Sequence, residues 1–266
     1  MINIKNHIES IIFILILLAI YHFYLIFNIC NGKESLDIYE YRSEDYQNGD
    51  VVILILGGTH GDEPAGTYAI KLLQKEINLN KLKLKRCKLI LIPAVNYCSL
   101  RIGFRLIPEI GDFNRKYPTS INDNPSNNII KKIVNIVKTS DFIVDFHEGW
   151  GFNRKNSLSL GSTLSPSNTS NSFIVASNLL NSINKKLEGS KRYRILTHND
   201  ELIKENNDLY AKSQNIKGTL KNYCNIINKN YILIETSGKY NIQPINIRIN
   251  QNLIFLKEIL EYYHTI

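Results

Sequence analysis

The chain has 266 residues, 44% of them hydrophobic, and its 32 Lys and Arg exceed 24 Asp and Glu to give a net charge of +8. That apolar content excludes a disordered chain and suffices for one domain of ordinary size. The basic residues are scattered among asparagines and isoleucines, which argues against a nucleic-acid partner, and four cysteines with no Cys-x-x-Cys pair exclude a disulfide-dense scaffold.

Residues Ile11 to Phe27 are apolar apart from His22, and the run extends to Cys30 if Asn28 lies near an interface. Such a run reaches the lower bound for a helix that spans a bilayer. No small-x-small cleavage site follows it, so an uncleaved single-pass anchor is expected rather than a removed signal peptide. The chain then divides into residues 1–32, an apolar membrane anchor, and residues 33–266, a single catalytic domain. The flanking basic residues, Lys5 before and Lys33 and Arg42 after, leave the side of the membrane open.

After a short polar stretch, Val51 to Leu56 reads as a buried strand. The turn Gly57-Gly58-Thr59-His60-Gly61-Asp62-Glu63-Pro64-Ala65-Gly66 follows and leads into a helix over residues 63–77, with Ala69, Leu72, Leu73 and Ile77 on one face. A glycine-rich turn between strand and helix lets His60 and Glu63 point into one crevice at the carboxyl end of the strand, where open α/β sheets place their ligands. Lys88 to Pro93 is the next strand and opens at Asn96 into a loop reaching about Ser126. That loop holds Arg101, Arg105 and the sequence Gly111-Asp112-Phe113-Asn114-Arg115-Lys116-Tyr117-Pro118; loops this long inside a compact domain are usually functional.

Residues 127–137 read as a helix, and Asp141 to Gly149 as a strand ending in acid and imidazole groups. In an extended strand Asp145 and His147 share a face while Glu148 points the other way, so His147 reaches the crevice with Asp145 behind it. Residues 149–172, rich in Ser, Asn and Gly, read as a long surface loop serving as rim or lid. Helices are expected over 173–187, 201–214 and 218–227, with a short strand over 193–197. Tyr231 to Gly238 is a strand finishing in Glu235, and a helix over 245–263 follows. Strands alternating with helices indicate one α/β domain.

Three strands thus end in His60 with Glu63, in His147 and in Glu235, and two arginines lie in a loop after a fourth. A catalytic zinc takes three protein ligands and keeps one position open for water, and such a metal acidifies water and polarises a carbonyl. A further carboxylate near that water serves as general base and then as proton donor to the leaving nitrogen; Glu235 is the candidate. Arginines nearby stabilise an oxyanion and clamp a substrate carboxylate.

These residues resemble the zinc carboxypeptidases, and within them the succinylglutamate desuccinylase and aspartoacylase branch. The resemblance covers most of residues 50–240 and rests on GGTHGDE, on Asn96 with Arg105 and Asp112-Phe113-Asn114-Arg115, on Asp145-Phe146-His147, and on Ile234-Glu235-Thr236. It implies one Zn2+ per chain held by His60, Glu63 and His147, with Glu235 as general base. It further implies that Arg105 polarises the scissile carbonyl, that Asn114 and Arg115 hold a substrate carboxylate, and that Asp112 orients His60. The implied fold is a mixed, mainly parallel sheet of about eight strands with helices on both faces.

The chain departs from the family pattern in places. Tyr97 and Phe113 stand where the family often has Pro and Leu. Gln214 lies near the place of the tyrosine with which peptidase members close on substrate, and Tyr210 is out of register. The deacylase members use a C-terminal domain to close the site, and with only about 30 residues after Glu235 no such domain is expected from this sequence. The expected function is zinc-dependent hydrolysis of an amide bond next to a carboxylate, of the N-acyl amino acid deacylase type. The alternatives are a carboxypeptidase that removes a C-terminal residue from a peptide, and an inactive, membrane-tethered binding module. The expected partners are a small carboxylate-bearing amide or peptide and, through the N-terminal segment, a membrane.

Overall fold

A computed structural model describes residues 2–30, 36–106, 111–149, 151–152, 159–195, 216–238 and 242–266. The chain forms two compact units, Met1–Ser35 and Leu36–Ile266. The first contains one helix, α1 (Ile2–Cys30). Its side chains from His7 to Tyr24 are exposed, and these 18 residues have a mean hydropathy of 1.8. Among the described residues it is the one helix long and apolar enough to cross a membrane, a description that a signal sequence also meets.

The second unit is built on a mixed sheet of seven strands among the described residues: β1 (Tyr39–Arg42), β2 (Val51–Leu56), β3 (Cys87–Ile92), β4 (Phe142–Gly149), β5 (Thr163–Pro166), β6 (Arg194–Ile195) and β7 (Asn230–Ser237). Their order is β1-β3-β2-β4-β7-β5-β6. The central strands β3, β2, β4 and β7 run parallel, β1 and β5 are antiparallel to their inner neighbours, and β6 is parallel to β5. The mixed, mainly parallel sheet is the expected one, with one strand fewer than the resemblance implied. The helices are α2 (Ala65–Asn78), α3 (Tyr97–Ile102), α4 (Asn128–Thr139), α5 (Ser170–Lys185), α6 (Leu220–Ile226) and α7 (Ile245–Tyr262).

The near-continuous apolar runs of β2, β3 and β4 follow from burial on both faces. Ile53, Ile55, Leu89, Leu91, Val144, Phe146, Ile232 and Ile234 pack on one face with side chains of α2, α5 and α7. Leu54, Leu56, Ile90, Ile92, Ile143 and Tyr231 pack on the other with α4 and α6. In α4, Asn127 caps the helix by accepting from the Ile129 and Ile130 N–H groups, and Ile130, Ile133, Val134 and Val137 form its buried stripe. The chain runs outward from β2 to β3 through α2 on one face, then returns past β2 to β4 through α4 on the other. That reversal opens a crevice at the carboxyl ends of β2 and β4.

Three elements differ from the sequence expectation. β1 lies in the stretch read as polar, α3 lies inside the loop after Asn96, and β5 lies in the segment read as a surface loop. Ser162, Thr163, Ser165 and Ser167 are buried there, because β5 adds to the sheet beside β7 and its hydroxyls find partners inside the protein. Leu72 is 41% exposed, and Ile70 replaces it on the buried stripe of α2. The helix expected over 201–214, the end of the strand at 196–197, and Tyr210 and Gln214 lie outside the described residues.

Candidate active site

His60 and Glu63 sit in the turn between β2 and α2, and two glycines set its shape. A Cβ on Gly61 would lie 1.7 Å from the Ser99 carbonyl oxygen, so only glycine lets the turn press against α3. There its N–H donates to Ser99 Oγ at 2.8 Å and to the Phe104 carbonyl at 3.1 Å. A Cβ on Gly66 would lie 2.4 Å from the Cβ of Phe146, so the first turn of α2 lies flush on β4 and carries Glu63 over the end of that strand.

His147 comes from β4, and one side-chain nitrogen or oxygen from each of His60, Glu63 and His147 lies within 4.8 Å of the others, a group that could hold a metal ion, all three residues buried. The two imidazoles present the same atom inward: His147 Nδ1 is 3.1 Å from His60 Nδ1 and 2.8 Å from Glu63 Oε2, while Glu63 Oε1 is 3.0 Å from His60 Nδ1. Each outer ring nitrogen meets a carboxylate. His60 Nε2 is 3.0 Å from Asp112 Oδ1, and His147 Nε2 is 3.3 Å from Asp145 Oδ2, which also accepts from the Tyr231 hydroxyl at 3.0 Å. Carboxylates behind both rings fix the tautomers that leave Nδ1 free to ligate. Two imidazole nitrogens and a carboxylate, converging in a buried crevice, are a donor set suited to zinc.

The electrostatics agree with a cation site. Burial would raise the Glu63 pKa, but the adjacent His60 and His147 rings outweigh it and hold the carboxyl well below the usual range. Burial would lower that of His147, but Asp145 and Glu63 outweigh it and raise it well above the usual imidazole value. Burial also works against the Asp112 carboxylate, yet His60 and the Arg105 and Arg115 guanidinium groups hold its pKa below the usual range.

The structure brings Arg105 to the same crevice, with Nη1 2.9 Å from Glu63 Oε1 and 3.2 Å from His60 Nδ1, and Nη2 3.1 Å from Asp112 Oδ2. Arg115 is exposed beside it, and its Nη1 donates to the Asn114 carbonyl at 2.6 Å. The Asn114 side chain has a structural use that the sequence did not suggest: its oxygen accepts from the Leu220 N–H at 3.1 Å, tying the loop to the start of α6. Glu235 on β7 is paired in register with His147, so the two side chains leave adjacent strands on one face. Burial, then the Glu63 charge, push the Glu235 pKa up to about 7.

Glu148 is a contact the motif reading did not use. It points to the opposite face, as the strand alternation required. There its carboxylate accepts from the Ala65 N–H at 2.6 Å and pairs with buried Arg248 of α7. Its own N–H donates to Glu63 Oε2 at 3.2 Å. The Glu148 pKa is nonetheless raised, chiefly by burial. No local signal links residue 148 to residue 248; only the packing of α7 brings them together.

Residues 50–169 match the model of the succinylglutamate desuccinylase/aspartoacylase catalytic domain. No curated protein matches the chain by sequence. Among solved structures, the product-bound cell shape determinant protein Csd4 of Helicobacter pylori superposes with a TM-score of 0.67 at 20% identity, over 86% of this chain and 55% of that one. A succinylglutamate desuccinylase/aspartoacylase of Rhodobacter sphaeroides superposes with a TM-score of 0.58 at 16% identity, over 87% and 59%. A Shewanella baltica protein described provisionally as a metallopeptidase gives 0.59 at 16%, over 91% and 92%. The chain therefore spans little more than half the length of Csd4. The resemblance to the desuccinylase and aspartoacylase branch, and the fold it implied, are borne out.

Proposed function

From its match to the succinylglutamate desuccinylase/aspartoacylase catalytic domain over residues 50–169, we propose that this protein is a zinc-dependent hydrolase of amide bonds next to a carboxylate, of the N-acyl amino acid deacylase type. The observation that carries the reading is the buried convergence of His60 Nδ1, the Glu63 carboxylate and His147 Nδ1, each imidazole backed by a carboxylate. Zinc bound there supplies Lewis acidity toward the carbonyl and lowers the pKa of water.

The protein's own groups do the rest. Glu235 takes the proton of the attacking water as its oxygen adds to the carbonyl carbon, then delivers that proton to the nitrogen as the C–N bond breaks. Arg105, beside the ligand atoms, donates hydrogen bonds to the oxygen on which negative charge develops. Arg115, exposed at the mouth, holds the substrate carboxylate. Asp112 and Asp145 hold the two imidazoles in orientation. Residues 1–32 serve as a membrane anchor and residues 33–266 as the hydrolase domain, a division supported by the apolar stretch His7–Tyr24.

A second reading, a carboxypeptidase, draws on one observation: the higher TM-score is to Csd4, whose mDAP-bound form is described as a D,L-carboxypeptidase. Metal content of the full chain purified in detergent, with hydrolysis of N-acyl amino acids and short peptides, tests both. About one zinc per chain and release of free amino acid from acyl substrates is the expected result. Cleavage of peptides alone would favour the carboxypeptidase, and neither metal nor turnover would remove the hydrolase.

A further inference from the structure

Phe104 and Leu106 stand on either side of Arg105, and both are exposed, at 58% and 53%. Single exposed apolar side chains are ordinary on a protein surface, but this pair is held in place. The Phe104 carbonyl accepts from the Gly61 N–H at 3.1 Å and from the Ser99 hydroxyl, and Arg105 between them reaches into the crevice to Glu63 and Asp112. The backbone is thus pinned to the turn that carries His60 and Glu63, and the two apolar side chains are left outside at the rim. Cations accompany them. Between Leu100 and Pro118 the chain carries Arg101, Arg105, Arg115 and Lys116 against Glu109 and Asp112. Asp112 is held by His60 and Arg105, while Arg101, Arg115 and Lys116 are exposed. Strand β1 runs antiparallel to β3 with Tyr39 opposite Leu91, so the residues arriving from the N-terminal segment join the sheet at its carboxyl end, where the crevice opens. Ile38 and Tyr39 are exposed there as well.

We propose that Phe104 and Leu106, with Arg101 and Lys116, form a membrane-docking surface at the rim of the crevice, and that its partner is a bilayer containing anionic lipid. The inference rests on the membrane-anchor reading of residues 1–32 and not on the hydrolase reading. Apolar side chains of such a surface enter the boundary between headgroups and acyl chains, while neighbouring cations meet the lipid phosphates. Two apolar side chains alone bind a membrane weakly. A chain already held by a spanning segment presents them at a high effective concentration, so a small surface suffices. Docked in this way, the crevice opens at the headgroup layer rather than toward bulk solvent.

The test uses the full chain in nanodiscs of phosphatidylcholine and phosphatidylglycerol doped with a diazirine-bearing lipid, which labels protein at the membrane on illumination and is mapped by mass spectrometry. Label is expected in the stretch His7–Tyr24 and in the peptide carrying Phe104 and Leu106. Phe104→Asp combined with Leu106→Asp should lower label in the second peptide at least about fivefold and leave the first unchanged. Arg101→Glu with Lys116→Glu, or replacing phosphatidylglycerol by phosphatidylcholine, should lower it at least about twofold. The four side chains are exposed, so the melting temperature should stay within about 2 °C of wild type. Label confined to His7–Tyr24 would overturn the docking surface and leave the anchor standing, and label in neither peptide would overturn both. Rim label that survives the double aspartate variant would also overturn the docking surface. Protection of Phe104 from hydroxyl radicals that grows with protein concentration in detergent, without lipid label in nanodiscs, would assign the patch to a second copy of the chain and overturn it. None of these readouts needs metal or turnover, so they are independent of the hydrolase reading.

Discussion

Asp145→Asn is expected to weaken zinc binding at pH 8 by about tenfold to a hundredfold, or roughly 1.4–2.7 kcal/mol. The substitution keeps the shape of the side chain and an acceptor oxygen near His147 Nε2, but removes the charge that both His147 and the Tyr231 hydroxyl now meet. The 3.3 Å ion pair to His147 is lost, and the hydrogen bond from the Tyr231 hydroxyl falls from a charge-assisted one of about 1.5–3 kcal/mol to a neutral one of about 0.5–1.5, so the support behind the ring drops by about 1–1.5 kcal/mol from that hydrogen bond alone. Loss of the preference for the Nδ1-ligating tautomer adds to this. The pH dependence sharpens the test. Asp145 and Glu63 raise the His147 pKa well above its ordinary value despite burial, so in the wild type the metal competes with a proton on the ring, and more strongly as the pH falls. Removing the Asp145 charge lowers that pKa and reduces the competition, so the penalty should shrink between pH 8 and pH 6. Competition titration against a chromophoric chelator at both pH values reads the effect. Unchanged zinc affinity, or a penalty equal at the two pH values, would refute the role assigned to Asp145.

Glu235→Gln is expected to keep zinc and to lower kcat about a thousandfold, the scale of losing a general base and its proton return; near-normal turnover would remove Glu235 from the chemistry. Because the raised pKa of Glu235 is set by burial and by Glu63, and the base must be ionised, kcat/KM of the wild type should rise with pH along an acid limb at or below about 7. Bound zinc favours the carboxylate and moves the limb downward, and Glu235→Gln should abolish it. Arg115→Ala should raise KM for carboxylate-bearing substrates at least tenfold with a smaller effect on their amide-capped forms; equal loss on both would exclude it as a carboxylate clamp. At the buried pair, Glu148→Gln strands the Arg248 charge and should cost about 3–5 kcal/mol, lowering the melting temperature by roughly 6–20 °C. Arg248→Met should cost less, since Glu148 can take up a proton, and the double variant less than the sum. Strict additivity would show that the pair is not coupled.

The candidate ligands were legible because the chemistry and the backbone make the same demand at the same place. A buried strand, a glycine turn and a helix put His60 and Glu63 at a strand end, and period-2 alternation in Asp145-Phe146-His147-Glu148 settles which side chains face the crevice. β5 was not legible, because a four-residue strand written Thr-Leu-Ser-Pro carries little of the β-branched, alternating pattern. Its stability comes from β7 beside it and from buried hydroxyl partners, which are tertiary facts. β1, written Tyr-Glu-Tyr-Arg and largely exposed, has the polarity of an edge strand and reads as loop for that reason. The Glu148 contact to Arg248 and the Lys221 contact to Ser165 depend on helix docking across 100 and 56 positions of sequence, respectively. An arginine or lysine in an amphipathic helix gives no local sign of pointing inward.

The strand order also has a consequence in time. β4 lies between β2 and β7, yet the residue that pairs with His147 is Glu235, 88 positions later. At a synthesis rate of about 5–20 residues per second, roughly 4–18 s separate the emergence of His147 from that of Glu235. During that interval the nascent chain holds β4, an eight-residue strand buried on nearly its whole length in the finished protein, with one edge unpaired and the face later covered by α7 bare. Such an edge invites pairing with other chains. A fragment stopping near residue 169, where the family match ends, would keep His60, Glu63 and His147 and freeze the protein in this sticky state, so a soluble version should be sought by keeping β7 and α7 rather than by trimming to the matched segment.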